Sequence, residues 1–160
     1  MTQYMRPASD INSGWTCSTG TARYALIDEV SASDSDYIYN DSDGAYQECK
    51  FVTPTQTPNA GIAILRFRAK KNNSNLGTIT PSVWLGSSAI KTGSTVYLTT
   101  SYAEYSLELS SAEVESITDW SDVRVRFLSS ISINTIYVSW AVFEVPDGSS
   151  NMGLEMGCSF

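Results

Sequence analysis

Apolar and polar residues alternate with period two along much of this 160-residue chain. The clearest runs cover residues 63–70, 102–109 and 123–127. Period two puts successive side chains on opposite faces of a strand, one buried and one wet. In 63–70 the inward set is Leu65, Phe67 and Ala69, and the outward set is Arg66, Arg68 and Lys70. In 102–109 Tyr105, Leu107 and Leu109 face the core, and Glu104, Ser106 and Glu108 face out.

Extending this pattern predicts strands over 22–28, 36–39, 45–52, 61–71, 78–85, 89–92, 95–99, 102–109, 123–128 and 135–145. Asn40-Asp41-Ser42-Asp43-Gly44 is a turn signal, so 36–52 is expected to be a hairpin. A second short hairpin is expected across Gly93-Ser94, and Pro81 favours an edge or a bulge. Ser110 with Glu113 matches a capping box and opens a predicted two-turn helix that buries Val114 and Ile117. Segment 135–145 carries Ile136, Val138, Trp140 and Val142 on one face and Tyr137, Ala141 and Phe143 on the other. Apolar residues on both faces imply a strand covered on both sides, or a subunit contact. With eight or nine of these ten segments forming strands, and turn signals every 8–12 residues, the pattern predicts an all-β fold. Its natural closure is a jelly-roll or Greek-key β-sandwich with one short helix. The expected organisation is an extended N-terminal arm over 1–20, a sandwich domain over 21–147 and a C-terminal tail over 148–160.

Composition narrows the function. The net charge of −7 works against nucleic acid or an anionic membrane as partner. No apolar run is long enough for a transmembrane helix. The start, Met1-Thr2-Gln3-Tyr4-Met5-Arg6-Pro7, lacks the apolar stretch of an ordinary secretory signal. Three cysteines, Cys17, Cys49 and Cys158, cannot all pair within one chain. They read as reduced thiols, with Cys158 a candidate for a bond to a neighbouring subunit.

Catalytic and metal chemistry find little support. The chain has no histidine, which removes the usual Ser-His-Asp and Cys-His arrangements and most zinc sites. Asp119 and Asp122 form a carboxylate pair of the kind a glycosidase uses, although both fall in turn sequence. Asp34, Asp36, Asp41 and Asp43 invite a calcium loop, but aligning Gly44 with an EF-hand glycine puts Tyr39 and Lys50 at ligand positions. No catalytic residue, metal ligand or cofactor is therefore expected, and the chain reads as non-enzymatic. The four tryptophans and nine tyrosines allow a sugar-stacking surface. Trp120 and Trp140 are expected in the core; Trp84, sharing a face with Thr80 and Ser82, is the best exposed candidate, with Tyr97 or Tyr102 beside it.

Several segments resemble a recurring type of tailed-phage virion protein. They are Arg6-Pro7-Ala8-Ser9-Asp10 with Trp15, residues 25–29 and 34–38, Leu65-Arg66-Phe67-Arg68-Ala69-Lys70, residues 118–127, and Val138-Ser139-Trp140-Ala141-Val142-Phe143-Glu144-Val145-Pro146. The resemblance spans residues 6–146 and implies a jelly-roll virion structural protein made in the host cytoplasm. Capsid decoration and stabilisation is the leading expectation, with major capsid or other virion proteins as partners and a trimer or hexamer as the assembly. The alternative is a carbohydrate-binding jelly-roll module of a tail or fibre that engages a glycan. Tyr4, Arg6, Trp15, Cys158 and Phe160 are the expected subunit contacts. The fold also generates an electrostatic expectation: the acidic strand of Glu104 and Glu108 should lie beside a basic one.

Overall fold

The computed structural model describes residues 2–148, which build a two-sheet β-sandwich. Twelve strands occur among the described residues: β1 (Thr2–Met5), β2 (Pro7–Ser13), β3 (Thr16–Cys17), β4 (Ile38–Asn40), β5 (Tyr46–Phe51), β6 (Ala63–Lys71), β7 (Gly77–Leu85), β8 (Ser88–Thr92), β9 (Val96–Tyr97), β10 (Ala103–Leu109), β11 (Val123–Ile131) and β12 (Ile136–Pro146). One sheet, here sheet A, runs β10-β6-β12-β4-β3, with β1 also paired to β12. Sheet B runs β2-β5-β11-β7-β8, with β9 also paired to β7. All pairings are antiparallel. The expected all-β jelly-roll class is what the molecule has, with more strands than the eight or nine anticipated.

The two inner faces meet through aromatic rings. Phe67 of sheet A lies 5.1 Å from Phe127 of sheet B, and Phe51 of sheet B stacks on Phe143 of sheet A at 5.6 Å. Trp15 adds its ring to Phe127 at 6.4 Å and is 1% exposed. Residues 2–17 are thus part of the sandwich. β1 extends sheet A, β2 extends sheet B, and Trp15 fills the core between them. Residues 2–17 pack on their own chain rather than projecting from it.

Four local expectations are corrected. Residues 22–28 are not a strand, because Asp10 Oδ2 and Oδ1 accept the backbone N–H groups of Arg23 and Tyr24 at 2.8 and 2.9 Å and hold a 3-10 turn over Tyr24–Leu26. Residues 36–52 are not a hairpin: β4 belongs to sheet A and β5 to sheet B, so the 40–44 turn, with Gly44 at φ +74°, carries the chain between layers. β8 and β9 do not pair with each other across Gly93; each pairs with β7. The helix α1 (Ser111–Glu115) is shorter than two turns, although its capping box forms on both sides and Val114 and Ile117 are buried.

The most consequential irregularity is in β12. Its register against β6 slips between Val138 and Trp140, leaving Ser139 as a bulge. Ile136 and Val138 face the core before the bulge, and Ala141, Phe143 and Val145 after it. Trp140 and Val142 therefore lie on the outer face of sheet A, not in the core as strict alternation predicts. They are still buried, because the strap over 27–37 crosses them: Trp140 Nε1 donates to the Glu29 carbonyl at 2.8 Å and Ala141 N to the Ile27 carbonyl at 2.9 Å.

Replacing Trp15 by Ala should cost about 3–5 kcal/mol of stability, the range for a deleted core aromatic, read by urea unfolding. A change near zero would mean that the N-terminal strands do not close the core.

Candidate functional site

Both inner faces are consumed by the core, so the outward side chains of the sheets are the ones open to a ligand. On sheet B the outward residues follow from the register. Tyr46, Glu48 and Lys50 of β5 lie beside Leu128, Arg126 and Arg124 of β11, which lie beside Thr80, Ser82 and Trp84 of β7. Glu48 is 3% exposed, and its carboxylate receives Arg126 Nη2 at 2.6 Å and Arg124 Nη1 at 3.2 Å. A buried carboxylate is stable only when so paired. The pairing also fixes Arg126, whose guanidinium lies 3.8 Å from the Trp84 ring centroid and 4.4 Å from that of Tyr46. Trp84 Nε1 donates to Ser82 Oγ at 2.8 Å. The result is a rigid ridge of two aromatic rings clamped on one planar cation.

Beside this ridge an open groove of about 240 Å³ runs along the same face, lined by Thr78, Thr80, Thr95, Leu128, Ser130 and Asp43. Thr80 Oγ1 and Thr95 Oγ1 are 3.0 Å apart, and Thr78 Oγ1 donates to the Ser130 carbonyl at 3.2 Å. Tyr97 pairs with Thr78, so it shares the groove's face, and it is 73% exposed. Trp84 sits six residues from Thr78 on β7, which places Trp84 and Tyr97 about 20 Å apart along one strand direction. The Thr80 and Thr95 hydroxyls thus lie between two aromatic ends, with Thr78, Ser130 and Asp43 at the Tyr97 end.

The structure does not bring Tyr102 to this surface. Tyr102 precedes β10 on sheet A, and its ring lies 4.8 Å from Lys70 Nζ and 6.0 Å from the Arg68 guanidinium carbon. Trp84 is half-buried, and Arg126 covers one face of its ring, so it is less open than its neighbours Thr80 and Ser82 suggest. Tyr46 and Arg126 were missed as site residues. The signal was available in the alternation of 45–52, which puts Tyr46 and Glu48 outward with the two arginines of 123–127. Of the expected subunit contacts, Tyr4 is 54% exposed on β1 with Arg6 at 5.9 Å from its ring, and Trp15 is buried in the core. Cys158 and Phe160 lie outside the described residues.

The acidic candidates are locally engaged. Asp119 Oδ1 accepts from Ser121 N and Oγ at 2.9 and 2.6 Å, and Asp122 takes a bidentate bond from Arg124. Asp34 takes a bidentate bond from Arg68 and one from Ser139 Oγ, and the Arg68 bonds hold its carboxyl below the usual range. Among the described residues no cluster of three or more His, Cys, Asp or Glu could hold a metal ion. The acidic strand does lie beside a basic one: Glu104 of β10 pairs with Arg68 of β6 in register and meets Arg66 at 3.5 Å.

No family model matches this sequence, and no curated protein is similar to it. Solved structures share its fold. A family 29 carbohydrate-binding module, CBM29-2 mutant Y46A, superposes with a TM-score of 0.53 at 13% identity, covering 92% of this chain and 95% of that one. The C-terminal CBM6 of the laminarinase LamC from the marine Zobellia galactanivorans superposes at 0.52 with 8% identity, covering 91% and 99%. CBM35 from Paenibacillus barcinonensis superposes at 0.51 with 12% identity, covering 92% and 99%. At such identities these likenesses establish the jelly-roll fold. They correct the virion resemblance drawn from sequence: the structural neighbours are carbohydrate-binding modules rather than phage proteins, and no family model supports the phage assignment. The segments behind that resemblance fall on β2, the 3-10 turn and the strap, β6, β11 and β12.

One titration follows from the strap. Glu29 Oε2 is buried with no hydrogen-bond partner. Burial, assisted by the nearby Asp36 and Asp28, pushes its carboxyl up to about 7. The folded chain therefore keeps a proton that the unfolded chain loses near about 4.3. That contribution to stability is fully present below about 4.3 and is lost as pH rises through about 7. Urea midpoints measured at about pH 5 and about pH 8 should fall across that window, and Glu29→Gln should flatten the fall. An identical decline in Glu29→Gln would assign it to another group.

Proposed function

We propose that this protein is a non-catalytic carbohydrate-binding module whose sheet B groove takes a neutral oligosaccharide chain. The observation that carries the reading is the arrangement on one sheet face: Trp84 at one end, the exposed Tyr97 at the other with Thr78, Ser130 and Asp43 beside it, and Tyr46, Thr80 and Thr95 at the register between them. A pyranose ring has an apolar face of C–H groups and a rim of hydroxyls. The face stacks on an aromatic side chain, and the rim exchanges hydrogen bonds with Thr and Ser hydroxyls and a carboxylate. Binding sites of this kind combine apolar surface with a few fixed polar groups. The rigidity of the Arg126 clamp supports the reading further, since a ridge already held by Glu48 loses little side-chain freedom when a ligand arrives.

The shared fold supports the same direction, because its solved neighbours include modules from polysaccharide-degrading enzymes such as a laminarinase. The capsid partner and the trimeric or hexameric assembly expected from sequence find no support in these neighbours.

Laminarihexaose and xylohexaose, titrated calorimetrically, are the first probes. Tyr97 is exposed, so Tyr97→Ala leaves the core untouched and should weaken binding about tenfold, the value of one aromatic contact of about 1.4 kcal/mol. Trp84→Ala should lose more, because Arg126 then loses its stacking partner too. A wild-type protein that binds no neutral oligosaccharide on a broad glycan array would overturn the proposal.

A further inference from the structure

The outer face of sheet A presents four tyrosines that the core does not use. Tyr39 of β4 pairs with Tyr137 of β12, and Tyr137 pairs with Lys70 of β6, so all three side chains share the outer face. Tyr37, at the end of the strap, meets Tyr137 edge-on at 5.2 Å and Tyr39 at 6.3 Å. Tyr102 closes the group from the β10 side, with Lys70 Nζ between its ring at 4.8 Å and that of Tyr137 at 5.1 Å. The Tyr102 hydroxyl is buried without a partner. None of these four rings belongs to the core cluster. An outward strand face facing only water favours polar and charged side chains, and a packed aromatic group there marks a surface built for contact.

The charges on this face differ from one end to the other. Arg66 is paired with Glu144 at 2.9 Å and Glu104 at 3.5 Å, and Arg68 with Asp34 at 2.6 Å. Lys70, the third cation of the same row, makes no ion pair among the described residues; its ammonium rests against the two rings. Asp34 lies near it, but its oxygens already accept from Arg68 and Ser139. Beside the rings an open cavity of about 310 Å³ is bounded by Ser18, Tyr37, Tyr39, Thr135 and Tyr137. The site therefore combines a stacking floor, hydroxyl donors and one cation that makes no ion pair among the described residues, with the Arg68-bound Asp34 nearby.

We infer that sheet A carries a second ligand site, distinct from the sheet B groove, and that its ligand is an acidic sugar such as a uronate. The sugar ring stacks on Tyr39 and Tyr137, Ser18 and Thr135 meet its hydroxyls, and Lys70 meets its carboxylate. A charge-assisted contact of this kind gives the site a preference the neutral groove does not have. The inference stands on residues of sheet A alone and does not require the sheet B reading.

Polygalacturonate is the probe, followed by affinity electrophoresis and calorimetry on the full chain at low and raised salt. Binding is expected to weaken with salt and to fall at least about tenfold in Lys70→Gln and in Tyr39→Ala, with Trp84→Ala and Tyr97→Ala unchanged. Lys70→Gln retains the aliphatic stem, and an unchanged melting temperature verifies that variant's fold. Absence of polygalacturonate binding by the wild type, binding indifferent to Lys70→Gln, or binding lost in Trp84→Ala but not in Tyr39→Ala would each overturn the inference. Failure with neutral oligosaccharides alone would bear on the sheet B groove and leave this site standing.

Discussion

Aromatic contact between the two inner faces is the constraint on which the rest of the molecule depends. Phe67 against Phe127 and Phe51 against Phe143 join sheet A to sheet B, and Trp15 seals one side. Burying large apolar side chains between two layers is the dominant favourable term for a domain of this size. It also fixes register, since a slip of one residue would turn each ring outward. Once the inner faces are committed, every outward residue is placed by the same pleat. That is how Trp84, Arg126 and Tyr46 come together from three strands without any sequence motif linking them.

Electrostatics then arrange the outer faces. Sheet B buries one carboxylate, Glu48, under two arginines, and the arginine it fixes becomes the filling between two rings. Sheet A uses a lattice of Arg66, Arg68, Glu104, Glu144 and Asp34 to cover one end and leaves tyrosines and Lys70 at the other. The Ser139 bulge links the two themes. It turns Trp140 outward under the strap and delivers the Ser139 hydroxyl to Asp34, so the strap is tied to the sheet by hydrogen bonds at Ile27, Glu29 and Asp34. Both faces thus carry these contacts before any ligand is present, which lowers the ordering cost of binding.

The strands with strong alternation were legible in sequence because period two has one simple meaning. Segments 63–70, 102–109 and 123–127 are β6, β10 and β11, and the attraction between the acidic and basic strands followed from their outward charges. The capping box at Ser110 was legible because its chemistry is local. What failed was long-range. A turn signal at 40–44 cannot tell a hairpin from a crossing between sheets, and the alternation of 135–145 gave no warning that Ser139 would bulge. Residues 22–28 looked like a strand until Asp10, twelve or more positions away, took their amides. The site was half legible: Trp84 and Tyr97 were visible as aromatics on one face, whereas Tyr46, Arg126 and the tyrosines around Lys70 needed the strand order. The phage resemblance rested on the same strand sequences and carried no chemistry, so nothing in it could separate one jelly roll from another.

The physical claim common to these observations is that the core holds two preformed outer faces, of which sheet B offers aromatic ends with hydroxyls between them. The most direct test is a chemical-shift map of isotope-labelled protein titrated with laminarihexaose. Perturbations confined to outward positions of β7, β9 and β11, with the Trp84 indole N–H among them, are the expected result. Saturating shifts that avoid that face and gather elsewhere on the sandwich would contradict it.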